Sequence, residues 1–259
     1  MKITKKFLDD QRANQLLTGL VSFTEKHNIN NDAAYEVGYI FVKGSDHYNT
    51  FLDENKGFKP VIETSVKDCN IFYLKLYILK NSKASGITPH TDSHLMNCVG
   101  KLNLDVTQFS SKPNEIFIYY LSKNLVGGDL EIEINETIET IKIDDNMILS
   151  FRGDLVHGVT HISSCEYRVA IIIETSTCNE SYLQREDVIK SLEYFNIWEI
   201  KKNSRDVADV HCHTVQRVGS LQECAEKYGI DSMSQCWSGA KSFRTSPVVL
   251  YSKANKNVC

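Results

Sequence analysis

The sequence lacks the features that mark several large classes of protein. No window approaches the roughly 18 consecutive apolar residues of a membrane-spanning helix. The 29 basic residues, against 33 acidic ones, form neither the excess nor the stripe of a nucleic-acid-binding surface. No two of the eight cysteines have the C-x-x-C spacing of a zinc ribbon or a thioredoxin-type motif. We therefore expect neither a membrane nor a nucleic acid among the partners of this chain.

The first residues, MKITKKFLDDQR, reach acidic side chains before any apolar run long enough for a secretory signal. This pattern predicts a cytoplasmic protein. Because thiols stay reduced in that compartment, we expect the eight cysteines to be free, mostly as small buried hydrophobic residues. Nothing in the sequence predicts an oligomeric state.

Hydrophobic periodicity predicts a leading helix followed by a run of short strands. Apolar residues share one helical face between Leu16 and Val21, after a candidate cap at Asp9 or Asp10. Short runs rich in Ile, Val, Tyr and Phe then predict strands at 35–43, 71–80, 101–108, 114–121, 129–134, 139–143, 146–151 and 167–174. Helices that would demand a parallel sheet are missing between these runs. We therefore expect a mainly β fold with flanking helices, an antiparallel barrel or two-sheet jelly roll.

The pattern changes again after residue 174. The later segments are predicted as a helix, a strand and a helix with a capping box, at 181–197, 205–218 and 220–230. We therefore predict a β core with its N-terminal helix at 1–180. The remaining residues, 181–259, are predicted to be a helical or mixed extension that packs on the core instead of folding alone.

The stretch HTD places a histidine and an aspartate two residues apart. On an extended chain His90 and Asp92 project to the same side, so both can bind one ion. H-x-D alone occurs by chance in many proteins, and a third ligand must come from elsewhere. The best candidate is His157, which follows the predicted strand 146–151. Two imidazoles and one carboxylate on one face of an octahedral ion are typical of non-haem Fe(II) oxygenases.

Arg168 strengthens this hypothesis. It follows His157 by eleven residues and opens the apolar strand RVAIIIE. A guanidinium binds a carboxylate in bidentate fashion, and an unpaired buried charge is costly, so Arg168 predicts an anionic partner. The alternative is an ordinary salt bridge at the end of a strand.

Other residues compete for these roles. His161 stands four residues after His157, roughly 13 Å along a continuous strand, which is too far to bind the same ion. His94 has no assigned role; a solvated loop histidine, a contact that supports the metal ligands and a substrate contact all stay open. A rival set, DVHCH, alternates Asp209, His211 and His213. No downstream arginine or glycine turn supports a metal role there, and an edge strand or a pocket lining explains it as well.

Three blocks of the sequence, in this order, resemble the Fe(II)/2-oxoglutarate-dependent dioxygenases, specifically their prolyl-4-hydroxylase-like branch. These blocks are YILKNSKASGITPHTDS, IFIYYLSKNLVGGDLEIE and DNMILSFRGDLVHGVTHISSCEYRVAIIIE, and the likeness covers approximately residues 70–175. The resemblance implies a double-stranded β-helix. It also implies a role for each of several residues: His90, Asp92 and His157 as iron ligands, Arg168 as the partner of the distal carboxylate of 2-oxoglutarate, Tyr77 or Tyr73 as a further co-substrate contact, and Gly127-Gly128 as a structural turn.

The activity implied by the resemblance is hydroxylation of an unactivated C–H bond with release of succinate and CO2. Fe(II), 2-oxoglutarate and O2 are the implied cofactor and co-substrates, with ascorbate as a candidate stimulant. Asp92 favours hydroxylation over halogenation, because halogenating relatives carry a small residue in its place. The expected substrate is a small molecule, a free amino acid or an amino-acid-derived metabolite. The alternatives are a peptidyl-prolyl or other peptidyl hydroxylase, and a non-catalytic cupin-like binding protein.

Overall fold

A computed structural model describes residues 1–26, 33–81, 83–193, 196–203, 210–216, 233–234 and 250–251, with side-chain surroundings for 1–20, 38–81 and 83–192. The helices in these ranges are α1 (Asp10–Lys26), α2 (Asp46–Glu54), α3 (Lys59–Ser65), α4 (His94–Lys101), α5 (Glu180–Leu183) and α6 (Glu186–Glu193), with 3₁₀ turns at Lys56–Phe58 and Val106–Gln108. The strands are β1 (Lys2–Lys5), β2 (Ala33–Val42), β3 (Ile71–Lys80), β4 (Ile87–His90), β5 (Glu115–Lys123), β6 (Val126–Gly127), β7 (Leu130–Ile134), β8 (Thr137–Ile141), β9 (Met147–Arg152), β10 (His157–Val159), β11 (Ile162–Ser164), β12 (Tyr167–Ser176), β13 (Asn196–Asn203), β14 (Val210–Gln216), β15 (Met233–Ser234) and β16 (Leu250–Tyr251).

The strands form a larger and a smaller antiparallel sheet. The larger sheet has the order β1-β9-β5-β12-β3-β2-β13-β14, and the smaller has the order β4-β10-β7-β8. Strands β6 and β11 pair separately, as do β15 and β16. In the larger sheet β12 pairs with β3 along its whole length, from Tyr167 opposite Lys80 to Ser176 opposite Ile71. These two long strands, rich in Ile, Leu, Val and Tyr, form a platform for the rest of the fold.

The side chains of β12 point into two different layers because they alternate with period two. Val169, Ile171 and Ile173 are buried in a cluster with residues of helices α1, α2 and α3. Ala170 is buried in another cluster, with residues of β5, β9 and the smaller-sheet strand β7. The even-numbered residues of β12 therefore share what we call its inner face, which is turned towards the smaller sheet.

Helix α2 shows how the helical layer covers the other face of the larger sheet. The Ser45 side chain accepts a hydrogen bond from the Tyr48 N–H at 3.2 Å and caps the helix. Tyr48, Phe51 and Leu52 fall on one helical face and are buried in the same cluster as Phe72 of β3. Each such apolar side chain contributes about 1.5–3 kcal/mol by leaving water. Packing, more than helix propensity, therefore holds this layer on the sheet.

The predicted mainly β fold with antiparallel sheets and flanking helices is confirmed. Closure of the sheets into a jelly-roll barrel, or double-stranded β-helix, stays a prediction. The division at residue 180 also stays a prediction. Leu183, Val188 and Leu192 of α5 and α6 are buried in one cluster with Ile40 and Ile71 of the larger sheet.

The strand predicted at 101–108 is wrong. Helix α4 ends at Lys101, and a 3₁₀ turn occupies Val106–Gln108. The side chain of Asp105 accepts hydrogen bonds from the N–H and the hydroxyl of Thr107, at 3.0 and 2.6 Å. Such local side-chain bonds offer the backbone an alternative to a sheet ladder, so the alternation of Leu and polar residues misled the prediction.

Other boundaries differ by smaller amounts. The helix predicted at 181–197 is interrupted after Leu183, and strand β13 begins within it at Asn196. The strand predicted at 139–143 lies at Thr137–Ile141. The strand predicted at 205–218 contains β14, whereas the helix predicted at 220–230 lies outside the described residues.

The cysteines agree with the prediction wherever their side chains are described. Cys69, Cys98, Cys165 and Cys178 are all buried, and each is a thiol instead of half of a disulfide. The other four, at 212, 224, 236 and 259, lie where side chains are not described. Among the described residues, no helix is both long enough and apolar enough to cross a membrane.

Candidate metal centre

Strand pairing places the two predicted histidine ligands side by side. His90 ends β4 and lies opposite His157, the first residue of β10. Their ring centroids are 4.6 Å apart. Residue Gly158 allows this close pairing, because a Cβ there would lie 2.8 Å from the carbonyl oxygen of Ile87 on β4. The smaller sheet therefore brings together two residues that are 67 positions apart in the sequence.

Asp92 completes the group. Its Oδ1 lies 3.4 Å from Nε2 of His90, and its Oδ2 lies 3.3 Å from Nε2 of His157. The three residues each offer one ligand atom, and these atoms lie within 4.8 Å of one another. Asp92 and His157 are buried, and His90 is about one-third exposed. The geometry thus brings together all three residues that the sequence proposed as ligands.

The remote nitrogens of both rings fix which nitrogen faces the centre. Nδ1 of His90 lies 2.9 Å from the carbonyl oxygen of Thr88, and Nδ1 of His157 lies 3.2 Å from that of Leu155. A carbonyl oxygen only accepts, so each Nδ1 carries a hydrogen and each neutral ring has a lone pair on Nε2. Metal-binding histidines commonly donate their other ring N–H to a backbone carbonyl, which fixes the orientation of the ring.

The electrostatics of this group favour a bound cation. The two Nε2 lone pairs and the buried Asp92 carboxylate are all acceptors, so they repel one another at this distance. Either a cation shared by the three groups or added protons on the rings must compensate for this repulsion. Without a cation, a proton on each Nε2 takes its place: burial alone would raise the pKa of Asp92, but the hydrogen bonds that the protonated His157 and His90 rings then donate outweigh it and hold the pKa well below its usual range. The bond to Asp92 likewise raises the pKa of His90, against the effect of burial. The donor set therefore fits a divalent metal ion with nitrogen and oxygen ligands.

Arg168 lies buried on the inner face of β12, with only 3% of its surface exposed. Its guanidinium stands over the rings of Tyr77 and Tyr120, at 5.7 and 5.2 Å from their centroids. Its Nε has no hydrogen-bond partner among the described residues, and no carboxylate of that part of the chain forms an ion pair with it. The ordinary salt bridge considered from the sequence is therefore not seen there. A buried cation of this kind fits an anionic ligand.

Tyr120 lies beneath the Arg168 guanidinium and is also influenced by the charge of Asp92. Burial raises the pKa of Tyr120 to about 12, with the nearby charges of Arg168 lowering it and of Asp92 raising it. The charges of the guanidinium and of the Asp92 carboxylate therefore both act on this one phenol. The two predicted tyrosines differ in position, since Tyr77 lies beneath Arg168 whereas Tyr73 stacks on His94 at 5.3 Å. Tyr77 is therefore the better placed of the two to contact a ligand of Arg168.

The glycine pair predicted as a structural turn has that role. Gly127 and Gly128 have φ values of +78° and +76°. A Cβ on Gly127 would lie 2.1 Å from the carbonyl oxygen of His161. The side chain of His161 is exposed, and it belongs to neither of the possible metal-binding groups in the described part of the chain. Of the rival set, Asp209 lies outside the described residues, and the side chains of the β14 histidines are not described.

Two residues without a predicted role, His94 and Glu174, lie beside the candidate metal ligands. Glu174 is fully buried, and its carboxylate contacts the His94 ring. Nδ1 of His94 also lies 3.5 Å from Oδ1 of Asp92. A usable signal was present, because Glu174 shares the phase of Arg168 along β12 and therefore lies on its inner face.

Comparison with known proteins gives structural neighbours only. No family model and no curated protein matches the chain. A prolyl-4-hydroxylase from Pseudomonas putida is 12% identical, with a TM-score of 0.41 over 69% of this chain and 92% of that one. A prolyl hydroxylase from Trichoplax adhaerens, in complex with a hypoxia inducible factor peptide fragment, is 15% identical, with a TM-score of 0.45 over 71% and 87%. A 2OG-Fe(II) oxygenase family oxidoreductase from Burkholderia pseudomallei is 9% identical, with a TM-score of 0.40 over 66% and 81%. Because these identities and TM-scores are low, the function proposed below depends on the side chains of the site.

Proposed function

We propose that this chain is an Fe(II)- and 2-oxoglutarate-dependent dioxygenase with a double-stranded β-helix core. It hydroxylates an unactivated C–H bond of a small molecule, a free amino acid or an amino-acid-derived metabolite, and releases succinate and CO2. Two observations carry the proposal: the cluster of His90, Asp92 and His157, and the buried Arg168, whose Nε–H is unsatisfied among the described residues, on the face of the larger sheet turned towards the smaller one.

Each residue has a defined part in this proposal. Nε2 of His90, Nε2 of His157 and a carboxylate oxygen of Asp92 would hold Fe(II) on one face, which leaves positions for 2-oxoglutarate and O2. Bound there, the iron supplies the activation of O2 that C–H hydroxylation requires. The guanidinium of Arg168 would bind the distal carboxylate of 2-oxoglutarate in bidentate fashion, and Tyr77 would contact the same co-substrate.

The surroundings of the site support this assignment. Phe151 packs against the His157 ring with centroids 4.9 Å apart, and Ile132 of β7 lies opposite His157 in the smaller sheet. Both apolar residues belong to the cluster between the two sheets. An apolar wall on this side excludes water from the ligands, which strengthens their electrostatic interaction with a cation. It also limits side reactions of the bound co-substrates.

The first experiment tests the metal and co-substrate together. Purified protein receives Fe(II) and 2-oxoglutarate without oxygen, and we expect a weak visible charge-transfer band, followed by succinate when O2 is admitted. His157→Ala should lose the band and the succinate, whereas His161→Ala, which changes an exposed neighbouring histidine, should keep both. Absence of band and succinate in the unmodified protein, with iron binding unchanged by His157→Ala, contradicts the proposal and favours a non-catalytic binding protein.

A second experiment addresses the substrate. Succinate release is compared across free amino acids, their derivatives and short proline-containing peptides, with and without ascorbate. We expect a free amino acid or its derivative to raise the rate most. A peptide that raises it more than every small molecule favours the peptidyl hydroxylase and contradicts the proposed substrate class.

A further inference from the structure

Glu174 is a carboxylate with no exposed surface. It lies on the inner face of β12, opposite Tyr73 of β3 and Ile116 of β5, near the middle of the larger sheet. Burying an ionised carboxylate is costly unless hydrogen bonds and opposite charge compensate for the lost water. The partners of Glu174 therefore decide whether this arrangement is tolerated.

Within the described part of the chain, every hydrogen-bond partner of its carboxylate lies at the start of helix α4. Its Oε2 accepts the backbone N–H of His94 at 3.1 Å and that of Leu95 at 3.4 Å, and its Oε1 contacts Nδ1 of the His94 ring. Ser93 stands at the N-cap position, but its hydroxyl accepts from Asn97 and caps no N–H of the described helix. Glu174 thus takes the place of a capping residue, and its negative charge is favourable at a helix N-terminus.

This contact clamps the segment that carries Asp92. Two residues before Asp92, His90 is held by pairing with His157 in the smaller sheet. Two residues after it, His94 is held by Glu174 of the larger sheet. The His94 ring lies flat on Tyr73, with an interplanar angle of 4°. Its Nδ1 is 3.5 Å from Oδ1 of Asp92, so the imidazole touches both carboxylates.

We infer that Glu174 is a positioning residue of the metal site, which sets the affinity for a divalent cation by fixing His94, the start of α4 and hence Asp92. The inference rests on the proposed function in that it takes Asp92 as a metal ligand. Loss of residues that orient metal ligands typically weakens metal affinity 10- to 100-fold. Removing the Glu174 charge should have an effect of this size although Glu174 contacts neither His90 nor His157 in the described structure.

The test compares Glu174→Gln with Glu166→Gln in the full chain. Glutamine keeps the size of the side chain but replaces one acceptor by an N–H donor, which then faces the N–H groups of α4 or the His94 ring. The matched control removes a carboxylate that pairs with the exposed Lys123 at the other end of β12. Affinity for Mn(II) is measured from the free-ion signal in electron paramagnetic resonance. The Co(II) d–d spectrum reports ligand geometry, and thermal unfolding reports stability.

We expect Glu174→Gln to weaken Mn(II) binding about 10-fold or more and to change the Co(II) spectrum, with Glu166→Gln unchanged in both. A lower melting temperature with Mn(II) affinity within twofold and an unchanged Co(II) spectrum would mean a purely structural role and overturn the inference. If Glu174→Gln does not fold, His94→Gln serves, because it removes the ring and keeps the backbone N–H groups. Unchanged affinity and spectrum in that variant overturn the inference equally.

Two further outcomes separate this inference from the proposed function. Asp92, His94 and Glu174 also place ligand atoms within 4.8 Å of one another. A stoichiometry of two Mn(II) in the unmodified protein, falling to one in Glu174→Gln, would make Glu174 a ligand itself and overturn its positioning role. An unmodified protein that binds no Mn(II), or a His157→Ala variant that binds it equally well, contradicts the proposed site. Equal affinity in Glu174→Gln contradicts only the present inference.

Discussion

Replacing Arg168 by methionine is expected to stabilise the ligand-free protein. An uncompensated buried charge costs about 3–5 kcal/mol. The cation–π contacts of the Arg168 guanidinium with the rings of Tyr77 and Tyr120 offset part of this cost, by about 0.5–2 kcal/mol each. Methionine has a similar volume, is apolar and packs well against aromatic rings. The net gain is about 1 kcal/mol, a rise of about 2–4 °C in the melting temperature for a chain of this size.

The same substitution should weaken binding of 2-oxoglutarate. Charge-assisted hydrogen bonds to a carboxylate contribute about 1.5–3 kcal/mol. Their loss corresponds to a dissociation constant roughly 10- to 150-fold higher. A substitution that raises stability but lowers ligand affinity is characteristic of a residue retained for function. A residue that only supports the fold would lower both.

Thermal unfolding of the metal-free protein and calorimetric titration of 2-oxoglutarate into the Mn(II)-loaded protein measure the two effects. Arg168→Lys is the matched control, because it keeps the charge and loses the bidentate fork. We expect that variant to gain no stability and to show an intermediate affinity. If Arg168→Met instead lowers the free energy of unfolding by more than about 2 kcal/mol, the guanidinium is not an uncompensated charge in the ligand-free protein. If Arg168→Met binds 2-oxoglutarate with unchanged affinity, Arg168 is not the partner of its distal carboxylate.

Three other predictions concern the surroundings of the site. Gly127→Ala would place a Cβ 2.1 Å from the His161 carbonyl oxygen on a left-handed backbone. Urea unfolding should therefore show a free energy of unfolding lower by about 2–5 kcal/mol. A decrease below about 1 kcal/mol would refute the strain. His161→Ala should leave Mn(II) affinity within twofold, since the ring is exposed and outside the ligand group; a tenfold loss would make it a ligand. Burial raises the pKa of Cys69, Cys98 and Cys178 to about 11, 12 and 11, so at pH 8 they are protonated thiols and iodoacetamide should label them only in urea. Labelling of the native protein, mapped by mass spectrometry, would contradict this.

Two of the three proposed metal ligands were accessible from the sequence because their arrangement depends on local geometry. His90 and Asp92 share a side of an extended chain, and this follows from spacing alone. The choice of His157 over His161 needed the spacing to Arg168, since the pairing of β10 with β4 is not visible in the sequence. The structure places His157 opposite His90 and leaves His161 exposed.

Glu174 and His94 escaped prediction for two physical reasons. Glu174 closes an apolar run, and a charged residue at that position normally marks a strand end that reaches water. Strand β12 instead continues to Ser176, so the carboxylate is buried. Its partner is 80 residues away. Helix α4 brings His94 to Glu174, but the sequence did not predict this helix, because the residues that follow it alternate in polarity as those of a strand do.

The position of Asp92 explains why the buried contact between Glu174 and the start of α4 matters for the proposed metal site. Its histidine neighbours belong to the smaller sheet, whereas Glu174, which holds the chain just after it, belongs to the larger one. Arg168 lies on the same inner face as Glu174, six residues earlier on β12. Asp92 is therefore fixed by both sheets, and Arg168 by one of them. With the roles proposed above, any change in the packing between the sheets would shift a cation at Asp92 relative to the Arg168 guanidinium, so core packing would control how metal and co-substrate meet.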